Sequence, residues 1–134
     1  MAYTEGKTLY RLGSLSNAQL QAASTGTAKY TWTPVKRWEV CGAVINPTTA
    51  VGASAACIVV LKHTPSGGSL TNMLTVTVTT GLGIGTEQAF TESTTGYGTF
   101  NIESGGTLGV YVDTALGAVA GVLDVWLVLR EKPA

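Results

Sequence analysis

His63 is the only histidine in the sequence, and it is the side chain best suited to acid–base chemistry near neutral pH. It follows an apolar run and stands between Lys62 and the dipeptide Thr64-Pro65. Nucleophilic catalysis would require it to meet an activated serine or cysteine and an orienting carboxylate, and the sequence holds no Gly-x-Ser-x-Gly motif. We therefore predict a structural or exposed histidine and no enzymatic activity.

Cysteine chemistry is limited to Cys41 and Cys57, too few for a disulfide framework or a thiolate zinc site. Both lie in apolar segments, where a thiol behaves as a small core side chain. In a simple hairpin around residues 46–54, position 41 would oppose a position near 60. We therefore expect no disulfide between the two cysteines.

The glycine-rich and acidic segments also lack the residue spacing of a phosphate-binding loop or of a catalytic carboxylate pair. Residues 81–85 read Gly-Leu-Gly-Ile-Gly, without the Gly-x-Gly-x-x-Gly spacing or the Lys-Ser/Thr pair of a phosphate loop. Glycoside hydrolysis needs two carboxylates held close together, and nothing in the sequence pairs any of Glu87, Glu92, Asp113 and Asp124. No catalytic, metal-binding or cofactor-binding residue is predicted.

Aromatic residues offer an alternative chemistry, binding through ring faces. Tyr30, Trp32 and Trp38 fall within nine residues, and Tyr97 lies in a Gly-Thr loop. On a β-sandwich such side chains could stack on sugar rings, because they combine a flat apolar face with a polar tip. We favour the simpler interpretation, in which Trp38 belongs to the core and Trp32 packs at a subunit contact. The residues predicted to lie at an interface are Tyr30, Trp32, Tyr97 and Trp126.

Charge is scarce and balanced in this chain of 134 residues. Eight lysines and arginines offset eight acidic residues, and charged residues make up 12% of the sequence, about half the usual share. The length predicts a single domain over residues 1–134. Nucleic-acid binding needs clustered basic residues, whereas Lys36-Arg37 is the only adjacent basic pair.

The charges are also unevenly placed, since none occurs in residues 40–61, 63–86 or 114–123. An uncharged protein surface associates readily, so we expect these regions to contact other protein. The two longer stretches contain Pro, Asn, Gly and many Thr, so neither is the apolar run of about 20 residues that a spanning helix needs. The first seven residues show no secretory signal pattern, and we expect synthesis in the cytoplasm.

Alternating hydrophobicity predicts an all-β fold, a sandwich or a barrel. In residues 72–80, Leu74, Val76 and Val78 alternate with threonines, which indicates a half-buried strand. In residues 122–130 both faces carry apolar side chains, and we expect both to meet protein. In residues 38–46 we expect Trp38, Val40 and Val44 on one face and Pro47 to end the strand. Further strands are predicted over 8–12, 29–33, 55–62, 87–92, 98–103 and 107–113.

A single short helix is predicted near residues 17–23. Ser16 and Gln19 have the spacing of a capping box, and Leu15 and Leu20 fit a hydrophobic staple around the same N-terminus. No internal repeat or linker divides the chain.

The segment from Tyr30 to Pro47, Tyr-Thr-Trp-Thr-Pro-Val-Lys-Arg-Trp-Glu-Val-Cys-Gly-Ala-Val-Ile-Asn-Pro, resembles the opening of small jelly-roll virion proteins of tailed bacteriophages. In those proteins a Tyr-Thr-x-x-Pro strand leads through a basic turn into a strand that ends in Asn, and an apolar strand returns, here residues 56–61. Residues 100–112 resemble a recurrent strand, glycine turn and strand, and residues 122–130 resemble the closing strand. The likeness covers roughly residues 29–132.

This resemblance implies a jelly-roll-like antiparallel β-sandwich with about eight strands. It also implies a capsid decoration (cement) protein on the virion surface, a homo-oligomer with a trimer favoured, which binds assembled major capsid protein. No nucleic acid, membrane, cofactor or small-molecule ligand is expected. The N-terminal segment 1–28, of which 13–28 has no counterpart in the pattern, would either cap the fold or form an arm contacting a neighbour.

Two alternatives to capsid decoration remain open. The first is a carbohydrate-binding or receptor-binding β-sandwich module that uses Tyr30, Trp32 or Tyr97. The second is a structural component of the neck or tail. The strand pattern does not separate these, because a jelly roll carries many unrelated functions.

Overall fold

The computed structural model describes residues 7–52, 57–78, 81–92, 99–115 and 121–132. Within them are ten strands and one helix, and every strand pair is antiparallel. The elements are β1 (Lys7–Leu15), α1 (Asn17–Gln21), β2 (Tyr30–Trp32), β3 (Trp38–Thr49), β4 (Cys57–Thr64), β5 (Thr71–Val78), β6 (Gln88–Ala89), β7 (Thr91–Glu92), β8 (Phe100–Ile102), β9 (Thr107–Thr114) and β10 (Val122–Glu131).

The strands form two five-stranded sheets. The first sheet has the order β1-β10-β3-β6, with β8 also paired to β3, and the second has the order β2-β9-β4-β5-β7. The chain changes sheet at every connection except β4 to β5, and its first and last strands pair with each other. This is the connectivity of a jelly roll, and it confirms the predicted all-β sandwich.

The core lies between the sheets, and β10 supplies much of it. Leu123, Val125, Leu127 and Leu129 are between 0% and 2% exposed, which confirms the predicted inward face. The opposite face of β10 is half-buried, apart from Asp124, which is buried. β5 also follows its predicted alternation, because its inward Leu, Val and Val are buried while its threonines are not.

The strand count is ten rather than about eight, partly because the predicted strand 87–92 is two strands. β6 pairs with β3 in the first sheet, whereas β7 pairs with β5 in the second. Between them, buried Phe90 donates its backbone N–H to the carbonyl of Ala43. The chain therefore crosses from one sheet to the other at Phe90, which period-two alternation alone cannot show.

The predicted faces of β3 are wrong beyond Val40. Gly42 opposes Val128 and Val40 opposes Leu129, so Cys41 is an extra residue, a β-bulge. The bulge exchanges the two faces of the strand. Ala43 and Ile45 are consequently buried, while Val44, predicted to face inward, is half-buried.

Pro47 does not end β3, which continues to Thr49. It opposes Leu123 beside a register shift of β10, and on its other side β3 pairs with β6 only at Val44 and Ile45. A proline beside such an irregularity removes little hydrogen bonding from the sheet.

Cys41 and Cys57 do not lie on the two strands of a hairpin, because β3 and β4 belong to different sheets. Both cysteines are free thiols.

Residues 7–28 lie against their own sandwich. β1 pairs with β10 along its length, and α1 begins with the predicted capping box, in which Ser16 and Gln19 exchange hydrogen bonds. The helix ends at Gln21, two residues earlier than predicted. Residues 24–29 then follow β9, since the N–H groups of Ser24 and Lys29 donate to Val112 and Val110.

We expect buried His63 to make the stability of the protein pH-dependent. The side chain is 9% exposed, its ring lies 5.6 Å from that of Phe100, and its buried Nε2 has no hydrogen-bond partner among the described residues. Burial lowers the pKa of His63 from its ordinary 6.5, so the unfolded state takes up a proton more readily than the folded state. We expect the free energy of unfolding to fall as pH drops below about 6.5.

Urea unfolding at pH 7.5 and pH 5.5 measures this effect. His63→Gln removes the titrating group, so the wild type should lose more stability than this variant over the interval. Equal losses in the two proteins would show that His63 does not control the dependence.

Candidate functional site

Three aromatic side chains from three strands meet where the edges of the two sheets come together. Tyr10 belongs to β1, the edge of the first sheet, Trp32 belongs to β2, the edge of the second, and Trp38 begins β3. They line a cleft of about 360 Å³, here called the aromatic cleft. Its lining residues are Thr8, Tyr10, Trp32, Thr33, Pro34, Val35, Lys36, Trp38 and Leu129.

Strand register explains why these rings point between the sheets. Tyr10 opposes Leu127, Trp32 opposes Leu108, and Trp38 opposes Ile102. All three opposing residues are fully buried, and directly opposed residues of an antiparallel pair share a face. The three aromatic side chains therefore lie on the inward faces of their strands, and they extend the apolar core to the edge of the sandwich.

The rings form a curved series rather than a flat platform. The centroids of Tyr10 and Trp32 are 5.3 Å apart with an interplanar angle of 35°, and those of Trp32 and Trp38 are 6.3 Å apart at 55°. Tyr10 is 39% exposed, and both tryptophans are half-buried. Lys36 Nζ lies 5.2 Å from the centre of the Trp38 ring, a cation–π contact at the rim.

A second, charged cleft of about 550 Å³ adjoins the first. Val35 and Lys36, in the β2–β3 connection, line both clefts, and Val35 is 91% exposed. The connection is thus a ridge with an aromatic cleft on one side and a charged cleft on the other. The charged cleft is lined by Val35, Lys36, Arg37, Glu103, Ser104, Glu131 and Lys132.

Ion pairs organise the rim of the charged cleft. Lys36 Nζ lies 2.8 Å from Glu131 Oε1, Arg37 Nε lies 3.0 Å from Glu103 Oε1, and Lys132 Nζ lies 3.5 Å from Glu39 Oε1. Most of these side chains are between one third and two thirds exposed, so each pair adds little to stability. They do place donors and acceptors side by side at the cleft mouth.

The four residues predicted at an interface do not form one site. Trp32 lies in the aromatic cleft, whereas Trp126 lies on the outer face of β10, between Arg11 of β1 and Val44 of β3. Tyr97 lies outside the described residues.

Tyr30 serves the fold. Its hydroxyl donates to the carbonyl of Ser14 at 2.7 Å, and its ring lies so close to Gly13 that a Cβ there would come within 2.5 Å of it. Tyr30 therefore fastens β2 to the end of β1.

Tyr10 was not among the predicted site residues, and Trp38 was expected in the core. Trp38 is instead half-buried and lines the cleft. The alternation of Thr8, Tyr10 and Leu12 in the sequence assigns Tyr10 to one face of a strand. It does not tell which other strand that face will meet, because this depends on how the two sheet edges come together.

Two further features of the described residues bear on function. No group of three or more His, Cys, Asp or Glu side chains in these ranges is arranged to hold a metal ion. In the same part of the chain, no helix has the length and apolar character needed to traverse a bilayer.

Comparison with known proteins gives no family assignment. No family model and no curated protein sequence matches the chain. Among solved structures, it is similar to the N-terminal part of Clostridium thermocellum endo-1,4-β-D-xylanase 10B, comprising CBM22-1 and GH10 modules in complex with xylohexaose, at 9% identity and a TM-score of 0.42. The match covers 96% of this chain but 26% of the xylanase chain, so the protein spans about a quarter of that structure's length.

Proposed function

We propose that the protein is a non-enzymatic structural protein that docks on an assembled protein surface through one end of its sandwich. Following the resemblance to jelly-roll virion proteins, the surface is a bacteriophage capsid and the partner is the major capsid protein. The protein would be made in the host cytoplasm, act as a homotrimer and reside on the virion surface.

The observation that carries this proposal is the uneven distribution of charged residues between the two ends of the jelly roll. The β1–β2, β3–β4, β5–β6 and β9–β10 connections all leave from the same end of the sandwich. Residues 16–28, 50–56, 79–86 and 115–121 of these connections include no Lys, Arg, Asp or Glu, and the end from which the connections leave is here called the charge-free end. The charges in the four connections are Lys29 and Glu87, each directly before the next strand. The opposite end carries the ion pairs of the charged cleft.

Described residues of the charge-free end hold an exposed apolar side chain, Ile84, on a hydrogen-bonded backbone. Val51 is buried and exchanges backbone hydrogen bonds with the β5–β6 connection, to Leu82 and from Gly81, both at 2.8 Å. Gly85 N–H donates to the carbonyl of Pro47 at 3.0 Å. Ile84 stands in the turn held by these bonds and is 69% exposed, so an apolar side chain is presented to a partner without loss of backbone order.

A charge-free contact makes a physical prediction about salt. Association through apolar and threonine side chains does not depend on ion pairs, so salt screening should weaken it little. A homotrimer would place three such ends on one surface, and effective concentration would multiply weak individual contacts. Binding only to the assembled shell would stabilise that shell by mass action.

Co-sedimentation with undecorated capsids from the same source, after light scattering has given the oligomer mass, tests the proposal. Ile84→Asp should reduce capsid occupancy about tenfold or more, because it buries an unpaired charge in the contact. Val35→Asp, an equally drastic change on an exposed side chain at the opposite end, is the matched control and should retain wild-type occupancy.

Three results would contradict the proposal. One is a soluble monomer that ignores capsids, and another is a steep loss of occupancy between low and moderate salt. The third is a defect in Val35→Asp but not in Ile84→Asp. Binding to purified necks or tails in place of capsids would reject the decoration role and favour the alternative position in the virion.

A further inference from the structure

We propose that the aromatic cleft is a binding site for an uncharged oligosaccharide. This site lies at the end of the sandwich opposite the charge-free end, so it does not depend on the docking proposed above. A protein that docks by one end would present this cleft on the other.

The ring faces supply the apolar part of the site. Tyr10, Trp32 and Trp38 form a continuous series with centroid separations of 5.3 and 6.3 Å, and all three retain exposed area. The pyranose ring of a sugar has apolar C–H faces that stack on aromatic rings, while its hydroxyl groups stay at the edge. The curvature set by the 35° and 55° interplanar angles suits a ligand that is itself not flat.

The rim of the cleft explains why the ligand should be uncharged and rich in hydroxyl groups. Lys36, the charged residue that lines the aromatic cleft, is already paired with Glu131, and Arg37 in the adjoining cleft is paired with Glu103. An ionic ligand would have to compete with these partners. A hydroxyl group both donates and accepts, so it can bind beside an ion pair without breaking it.

The size and surroundings of the cleft set the length of the ligand. A volume of about 360 Å³ lies at the lower end of the range for small-molecule sites. The charged cleft continues beyond Val35 and Lys36, so a chain of several sugars could cross the ridge and extend from one cleft to the other. We therefore expect oligosaccharides to bind more tightly than monosaccharides.

The test uses tryptophan fluorescence of the full chain titrated with linear hexasaccharides of glucose, xylose, mannose and N-acetylglucosamine, followed by a glycan array. At least one hexasaccharide should give a saturable change. Trp32→Ala and Tyr10→Ala should each weaken binding about tenfold or more, since each removes a stacking face. Tyr10 is 39% exposed, so its variant tests the site even if Trp32→Ala fails to fold.

Matched controls separate this site from the rest of the molecule. Trp126→Phe changes a half-buried tryptophan outside the cleft, and Ile84→Asp alters the charge-free end, so both should bind sugar like the wild type. An empty array together with unchanged fluorescence at millimolar sugar would overturn the inference. It would equally be overturned if Tyr10→Ala left sugar affinity intact or if proline-rich peptides bound in place of sugars. A Tyr10→Ala variant whose only defect is that its oligomer dissociates would also overturn it.

Discussion

Replacing Leu127 with alanine is expected to lower the free energy of unfolding by about 2–5 kcal/mol. Leu127 is fully buried at the middle of β10, which lies between β1 and β3 in the first sheet. It is flanked on its face by Val125 and Leu129, which are also buried, so the packed core has little freedom to collapse into the space left behind. The loss therefore includes a cavity contribution in addition to the lost burial of the side chain.

Urea unfolding followed by tryptophan fluorescence measures this loss. Leu70→Ala is the matched control, because it is the same substitution at a side chain that is 45% exposed in the β4–β5 connection. That variant should lose no more than about 0.5 kcal/mol. Similar losses in the two variants would mean that β10 does not supply the central part of the core.

The inward faces of β5, β9 and β10 were predictable because residues 74–78, 108–112 and 123–129 each keep one regular period, and the irregular residues of β5 and β9 lie outside these stretches. In β9, Leu108, Val110 and Val112 are all fully buried, as their spacing indicates. The capping box was predictable for the same reason, since Ser16 and Gln19 interact across only three residues. Patterns that are completed within a single element can be read without knowing its neighbours.

Features that depend on two elements were missed. The register of β10 against β3 decides whether Cys41 has a partner in the sheet or forms a β-bulge. The chain crosses between the sheets at Phe90 because β3, the partner of β6, and β5, the partner of β7, lie on opposite sides of the core. The candidate site belongs to this second class. Tyr10 and Trp32 are 22 positions apart and meet because both edge strands lie on the same side of the sandwich.

The same argument explains the distribution of charge. The sequence shows four uncharged stretches, 16–28, 50–56, 79–86 and 115–121, but cannot show that the connections containing them leave from one end. The jelly-roll connectivity brings them together and leaves Lys36, Arg37, Glu103, Glu131 and Lys132 at the other end. The molecule therefore has two chemically different ends, and the docking proposal rests on the charge-free end while the sugar-binding proposal rests on the aromatic cleft at the other end.

Lys62→Met is the second substitution with a large expected effect. Lys62 is 5% exposed, and its Nζ lies 3.1 Å from Asp113 Oδ1, donates to the carbonyl of Thr25 at 2.8 Å and stands 4.6 Å from the centre of the Tyr111 ring. Methionine keeps most of the length of the side chain but lacks the ammonium group that makes all three interactions. We expect a loss of about 2–4 kcal/mol in the free energy of unfolding, somewhat less than for a fully buried pair, because Asp113 is 21% exposed and retains some solvation.

The contact with Thr25 adds a local consequence. Residues 24–28 belong to the charge-free end and are tied to β9 by backbone bonds and to β4 through Lys62. In Lys62→Met, hydrogen exchange of the N–H groups of Ser24 and Lys29, which bond to β9, should become faster even under conditions in which the variant stays folded. Unchanged exchange would show that the β9 bonds alone hold this segment.

A double-mutant cycle with Asp113→Asn identifies the source of the loss. Asp113→Asn leaves the Lys62 charge buried without its carboxylate, so this variant should also be destabilised, whereas the double variant leaves neither charge unpaired. The double variant should therefore lose less than the sum of the two single losses, with a coupling energy of about 1–3 kcal/mol. Strict additivity would show that the Thr25 hydrogen bond and the Tyr111 contact, rather than the ion pair, account for the effect of Lys62.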